Sequence, residues 1–198
     1  MCSSVKALLA AILVSLGTLS TPALSQDIPA WYVGIGIGQS KAKGACDGVS
    51  GPGITCDDTD TAGKILGGYQ FSKNFALELG YADLGQAKAT FSGSGSATIG
   101  TKGFELTGIG MLPIGDRFSV LARAGLFHWN VDAKDGSGLV GSASASGTDL
   151  TFGFGVKFDF TKDFAIRGEW QRYKDVGDVN TTGQSDVDFI GASLVYRL

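Results

Sequence analysis

The sequence has little of what metal sites and hydrolytic relays require. It carries one histidine, His128, three cysteines and four prolines in 198 residues. Two thiolates and a distant imidazole are less than a zinc site, so no metal and no cofactor is expected. A basic excess is lacking too. The 16 Lys and Arg against 19 Asp and Glu give a formal charge of −3, without the basic footprint of a nucleic-acid binder. The one long apolar stretch, Ala7–Gly17, is eleven residues (ALLAAILVSLG), where a membrane-spanning helix needs about 20. No amphipathic helix of useful length appears either.

That stretch reads instead as an export signal. Lys6 supplies the positive start, Ala7–Gly17 the apolar centre, and Ala23-Leu24-Ser25 a small-residue cleavage site. A signal peptide is therefore expected over residues 1–25, leaving 26–198 as one domain of net charge −4 after loss of Lys6. Cys2 precedes the apolar centre and is not placed for lipid attachment at the cut. Cys46 and Cys56 remain, an even pair in an exported chain, which reads as a disulfide. Closing so short a ring constrains the unfolded chain by roughly 2–3 kcal/mol on the entropic account.

Glycine is the abundant residue. It makes up 31 of 198 positions, about twice the usual ≈ 7%, and sits inside apolar stretches rather than in linkers. Those stretches alternate. Leu150, Phe152, Phe154, Val156, Phe158 and Phe160 share one face, against Thr151, Gly153, Gly155, Lys157 and Asp159. Trp31, Val33, Ile35 and Ile37 oppose Tyr32, Gly34, Gly36 and Gly38; Phe75, Leu77, Leu79 and Tyr81 oppose Ala76, Glu78 and Gly80. Eight strands are expected near 31–40, 62–72, 74–84, 102–112, 117–131, 149–160, 164–173 and 187–198. The fourth (FELTGIGML) has no clean parity, and its faces stay unassigned.

The connections alternate short and long: 72–74, 114–116 and 161–163 are short, and roughly 41–60, 85–101, 132–148 and 174–186 are long. Short periplasmic turns, long outer loops and an even strand count predict an all-β, eight-stranded antiparallel up-and-down transmembrane β-barrel in a Gram-negative outer membrane. The faces agree. A soluble barrel holding a greasy ligand keeps charge outside. Here the apolar face carries aromatic residues toward strand ends, including Trp31, Tyr69, Phe75, Phe164, Trp170 and Tyr196, as interfacial girdles require. The other face carries glycine and the charges Lys64, Glu78, Arg123, Lys157, Asp159, Arg167, Glu169 and Arg197. Eight strands enclose a bore that side chains just fill, so these lumen charges are expected to pair.

Asp58 to Gly85 (DTDTAGKILGGYQFSKNFALELGYADLG), then Leu112–Phe118 (LPIGDRF), Ala165–Trp170 (AIRGEW) and the ending Leu194–Leu198 (LVYRL) follow one another in the order found in OmpA-type outer-membrane barrels. The chain resembles that family over the whole segment after the signal peptide. The resemblance implies assembly from the periplasm, with Glu78, Arg123, Arg167 and Glu169 at family lumen positions. It also shows departures. Gly108 stands where a fourth-strand lumen lysine is expected, Lys157 where some members carry an acid, and Leu198 where a terminal phenylalanine is usual. No peptidoglycan-binding domain is expected.

Other motifs carry less. Gly34-Ile35-Gly36-Ile37-Gly38 lacks the helix that a dinucleotide loop needs, and its period-two glycines fit a lumen face. Asp58-Thr59-Asp60 starts like a calcium loop without the later ligands; an acidic loop with Asp47 and Asp57 would hold divalent ions only weakly. His128 is the sole candidate base for a lipid-modifying hydrolase. Parity sets it outward with Ala122, Ala124 and Leu126, while Ser119 lies at the far end of that strand. No catalytic residue is assigned. The expected role is a structural and interaction barrel, with a small porin-like channel and a lipid A-modifying enzyme as alternatives. Its expected partners are outer-membrane lipid and lipopolysaccharide, the outer-membrane assembly machinery and periplasmic chaperones. No nucleic acid is expected, the chain is expected as a monomer, and what the outer loops touch stays open.

Overall fold

Residues that face lipid on one side and a crowded bore on the other can satisfy their backbones only in a closed sheet. The computed structural model has that form. It describes residues 29–48, 51, 53–91, 95–135 and 142–198; the expected signal peptide lies outside them. The strands are β1 (Ala30–Ala42), β2 (Ile54–Asp57), β3 (Thr59–Gln70), β4 (Phe75–Phe91), β5 (Gly95–Ile114), β6 (Phe118–Asp135), β7 (Ala143–Asp159), β8 (Phe164–Asp178) and β9 (Gly183–Arg197). Eight of them pair antiparallel in the ring β4-β3-β1-β9-β8-β7-β6-β5, and β5 closes back onto β4. The short β2 stands outside the ring and pairs with the upper end of β4, Ile54 opposite Phe91 through Asp57 opposite Lys88.

The expected strands therefore exist, but the long connections are shorter than the sequence suggested. Segments 85–101, 132–148 and 174–186 are mostly ladder. Ala87 pairs with Ile99, Ala133 with Ala143, and Val176 with Ser185. These extensions rise past the apolar belt, where the outward face meets water instead of lipid and the apolar–polar alternation that marks a half-buried strand is lost.

The belt itself is continuous. Outward residues stay apolar from Trp31 to Ile37 on β1, Phe75 to Tyr81 on β4, Phe164 to Trp170 on β8 and Ile190 to Tyr196 on β9. At the short-turn end aromatic rings pair on the surface: Trp31 with Tyr69, Phe118 with Phe158 and Phe164 with Tyr196, centroids 4.8, 4.7 and 4.8 Å apart. At the other end Tyr81 meets Phe104 at 5.0 Å and Phe154 meets Trp170 at 5.1 Å. Charged and polar residues begin directly above, with Asp83, Lys102, Asn130 and Arg172. Such aromatic borders fix the height of a barrel in its bilayer.

Cys46 and Cys56 are disulfide-bonded, with Cα atoms 5.7 Å apart. The bridge ties the turn after β1 to β2, and through β2 to β4.

Candidate functional site: the charged lumen

Period-two alternation aims one residue in two at the bore, and there glycine makes room. At Gly68 on β3 a Cβ would overlap the Tyr32 ring, so the Tyr32 side chain lies across a position that only glycine can occupy. Its hydroxyl donates to Glu78 Oε1 at 2.8 Å.

Glu78 begins a network that crosses the bore. Its Oε2 accepts from Arg123 Nη2 at 2.9 Å and its Oε1 from Arg167 Nη1 at 2.7 Å. Arg123 also reaches Glu169 through Nη1 at 2.6 Å and Glu105 through Nη2 at 3.4 Å. Lys64 Nζ stands 3.1 Å from Glu105 and 3.3 Å from Glu169. Neutral groups occupy the remaining oxygens. Gln171 donates to Glu105 Oε2 at 2.8 Å and to Thr151 Oγ1 at 2.7 Å, and the Tyr173 hydroxyl donates to Glu105 Oε2 at 3.0 Å. Three cations thus face three carboxylates, all six residues at most 4% exposed. The members come from β1, β3, β4, β5, β6, β7 and β8, so one plug binds most of the ring.

Lys157 and Asp159 form a separate pair at 3.1 Å, nearer the short-turn end. Arg197 lies at that mouth, half-buried, where Nη1 donates to the Lys162 carbonyl at 3.0 Å; among the described residues no acid pairs with it. It is a rim residue rather than a member of the plug.

Two assignments on β5 need correction. Glu105 is a central acid that the sequence pattern did not mark. Gly108 faces outward, so it cannot stand at a lumen position; Thr107, Ile109 and Met111 line that stretch of bore. The blurred parity has a physical cause. Ile109 and Met111 are apolar yet inward, in a lower cluster with Leu66, Leu121 and Val195, so both faces of β5 carry apolar side chains. One signal would have found Glu105: Phe104 and Leu106 flank it, and Phe104 lies opposite the outward Tyr81.

His128 faces outward. Its Nδ1 lies 2.8 Å from Thr148 Oγ1, while Ser119 is buried in the bore at the short-turn end. No Ser–His pair forms among the described residues. Nor do three or more His, Cys, Asp or Glu side chains of those residues cluster as metal ligands would. At the long-connection end, half-buried pairs line the surface: Arg172 to Asp188 at 2.6 Å and Lys174 to Asp186 at 2.8 Å. Its hydrogen bonds from Arg172 hold Asp188 below the usual carboxylate range. Partial burial pushes Asp186 upward, but the hydrogen bonds from Lys174 and the Asp175 N–H outweigh it and hold that carboxyl low.

Comparison with known proteins agrees with this architecture. The profile of the OmpA-like transmembrane domain matches residues 26–198. Outer membrane protein A of Serratia marcescens is 30% identical over 179 residues, 84% of this chain and 49% of that protein. The chain spans about half the length of the curated relatives it matches. Among solved structures, Neisserial surface protein A superposes with a TM-score of 0.58 at 12% identity, covering 85% of this chain and 97% of that one. The outer membrane protein OprG of Pseudomonas aeruginosa gives 0.53 at 15% identity, covering 86% and 98%.

Proposed function

The chain belongs to the OmpA-like transmembrane domain family and resides in the outer membrane of a Gram-negative bacterium, and from that premise we propose that it is a closed structural and interaction barrel. The plug seals the bore, and the long-connection end is displayed outside the cell as a contact surface. The observation that carries this reading is the position of Arg123, whose guanidinium touches Glu78, Glu105 and Glu169 in mid-bore. A continuous water path through the bore would have to separate these charges, and separating buried pairs costs several kcal/mol. The cavity between Tyr32, Lys157 and Arg167 toward the short turns is about 20 Å³, room for about one water.

The belt supports contact with outer-membrane lipid and lipopolysaccharide. A strand-only outer-membrane domain needs assembly machinery and periplasmic chaperones to reach its bilayer, and a ring without a free edge is suited to a monomer. The outward end is acidic. Segments 41–60, 83–102, 132–149 and 172–188 together hold twelve Asp against seven Lys and Arg, which favours basic or metal-bridged partners over bare polyanions.

Swelling of protein-loaded liposomes in small sugars tests the closed bore. Proteoliposomes should swell no faster than empty vesicles. Swelling at porin-like rates would overturn the structural reading in favour of a channel.

A further inference from the structure

Above the plug the interior changes character. A cavity of about 260 Å³ opens at the long-connection end, walled by Ala42, Leu84, Ile99, Val131, Val176 and Val187. Leu84, Val131, Val176 and Val187 belong to one buried apolar cluster with Trp129, Tyr173 and Phe189. The lining is mixed, with Ser40, Thr101, Gln184 and Ser185 beside these apolar side chains, so the chamber suits a molecule that has both an apolar and a polar part.

The backbone around this chamber is irregular at two places. The β4–β5 ladder shifts register between Asp83 and Gln86, where Gly85 takes φ +71°. The β8–β9 ladder shifts between Tyr173 and Val176, where Asp175 takes φ 49°. Asp175 is not glycine, so the left-handed conformation is strained, of order 1–3 kcal/mol. It is held there by Asp186 Oδ1, which accepts its N–H at 3.1 Å, and by Gln184, which donates to its carbonyl at 3.2 Å. Bulges re-aim side chains at barrel rims. Here one presents Leu84 and the other Val176 to the chamber.

Among the described residues, Asp58 is the single charged one lining the cavity. Among the described residues its ion pair is a 3.7 Å contact with Lys41, whose side chain is 60% exposed and free to swing away. Asp58 also lies within the acidic outer end, so the potential at the mouth favours a cation. The volume is just under the roughly 300–1,000 Å³ of pockets that hold drug-sized ligands.

We propose that the outer chamber binds small amphipathic amines: an apolar body of one ring or a short alkyl chain seated among Leu84, Val131, Val176 and Val187, with the ammonium at Asp58. The site lies above the plug, so it neither needs nor provides a path through the bore. Gly44 and Ala45, beside Cys46, also line the chamber, which makes the disulfide part of its rim.

The test is methyl NMR of the protein folded in a zwitterionic detergent, titrated with phenethylamine. Saturable shifts are expected at Leu84, Ile99, Val131, Val176 and Val187, and none at the outward Leu79, Leu106 and Leu194. The anion 3-phenylpropionate should bind about tenfold more weakly, a difference of about 1.4 kcal/mol. Asp58→Asn should narrow that preference severalfold, and Val176→Trp should abolish the shifts by filling the cavity. Faster gel migration without boiling verifies that each variant is folded. Equal shifts on inward and outward methyls, equal affinity for amine and anion, or undiminished binding to a folded Val176→Trp would each overturn the proposal.

Discussion

The lumen between Tyr32 and Gln171 is filled by charge, whereas the chamber above it is walled by Leu84, Val131, Val176 and Val187. Both lie inside the same eight strands, but the period of two that sets the inward positions of the plug is interrupted at the chamber by two bulges. What differs is what each half must exclude. In the middle of the membrane, matched charges on long side chains occupy the bore completely and hold opposite walls together. Near the mouth, water is already at hand, so apolar walls can stand apart and leave space. The plug is therefore rigid because Lys64, Glu78, Glu105, Arg123 and Glu169 each hold two or more partners, while the chamber loses only area when one side chain changes.

That contrast predicts unequal responses to mutation. Glu78→Ala removes the acceptor of Arg123, Arg167 and Tyr32 together and leaves buried charge unmatched. Its cost should be the largest, about 3–5 kcal/mol, the range for breaking a buried pair from one side, and it is read from urea unfolding in lipid vesicles. Leu84→Ala in the chamber should cost less, about 2 kcal/mol or slightly more, the lower end for a core Leu→Ala change. If the two costs are equal, the plug is hydrated and the contrast fails.

Reduction of Cys46–Cys56 should act on the mouth alone. The entropic account gives the bridge roughly 2–3 kcal/mol, but β2 is outside the ring, so the reduced protein should still migrate faster unboiled. Amide exchange should rise at Ile54–Asp57 and stay unchanged at Glu78 and Arg123. Heat-modifiability lost on reduction would show that the loop contributes to ring closure.

The smallest effect concerns pH. Asp186 and Asp188 are held below the ordinary aspartate value of about 3.9. A lowered folded value contributes stability that is present above the unfolded pKa and is lost as pH falls through the folded one. The β8–β9 extension should therefore loosen below about pH 4, before the barrel does, because these pairs are partly exposed and individually weak. Exchange of the Val176 and Gln184 amides between pH 6 and pH 3 measures it. Protection unchanged across that range would contradict the assignment.

How much of this was legible depended on what each face touches. Where lipid lies on one side and the bore on the other, as on β7 from Leu150 to Asp159, the sequence alternates and the strand can be read directly. β5 hid its faces because Ile109 and Met111 turn inward, and with them went Glu105, the acid that holds Lys64 and Tyr173. The ladders above the belt were read as loops because their outward face meets water instead of lipid, and no apolar–polar alternation survives in the sequence there. The lumen list contained Arg197, which has the right parity but sits at the rim. Parity specifies the side of the sheet, and only the register specifies the height along the bore. The bulges at Asp83–Gln86 and Tyr173–Val176, and with them the chamber, left Gly85 as their clearest sequence trace, since an aspartate such as Asp175 tolerates the left-handed conformation but is common in many others.

Single-channel recording in planar bilayers tests the charge plug most directly. Wild-type protein should show no large, steady conductance, and Glu78→Ala should show a small conductance that rises with the gap opened beside Arg123 and Arg167. Large, porin-like steps from the wild-type protein, unchanged in Glu78→Ala, would contradict a bore closed by these charges.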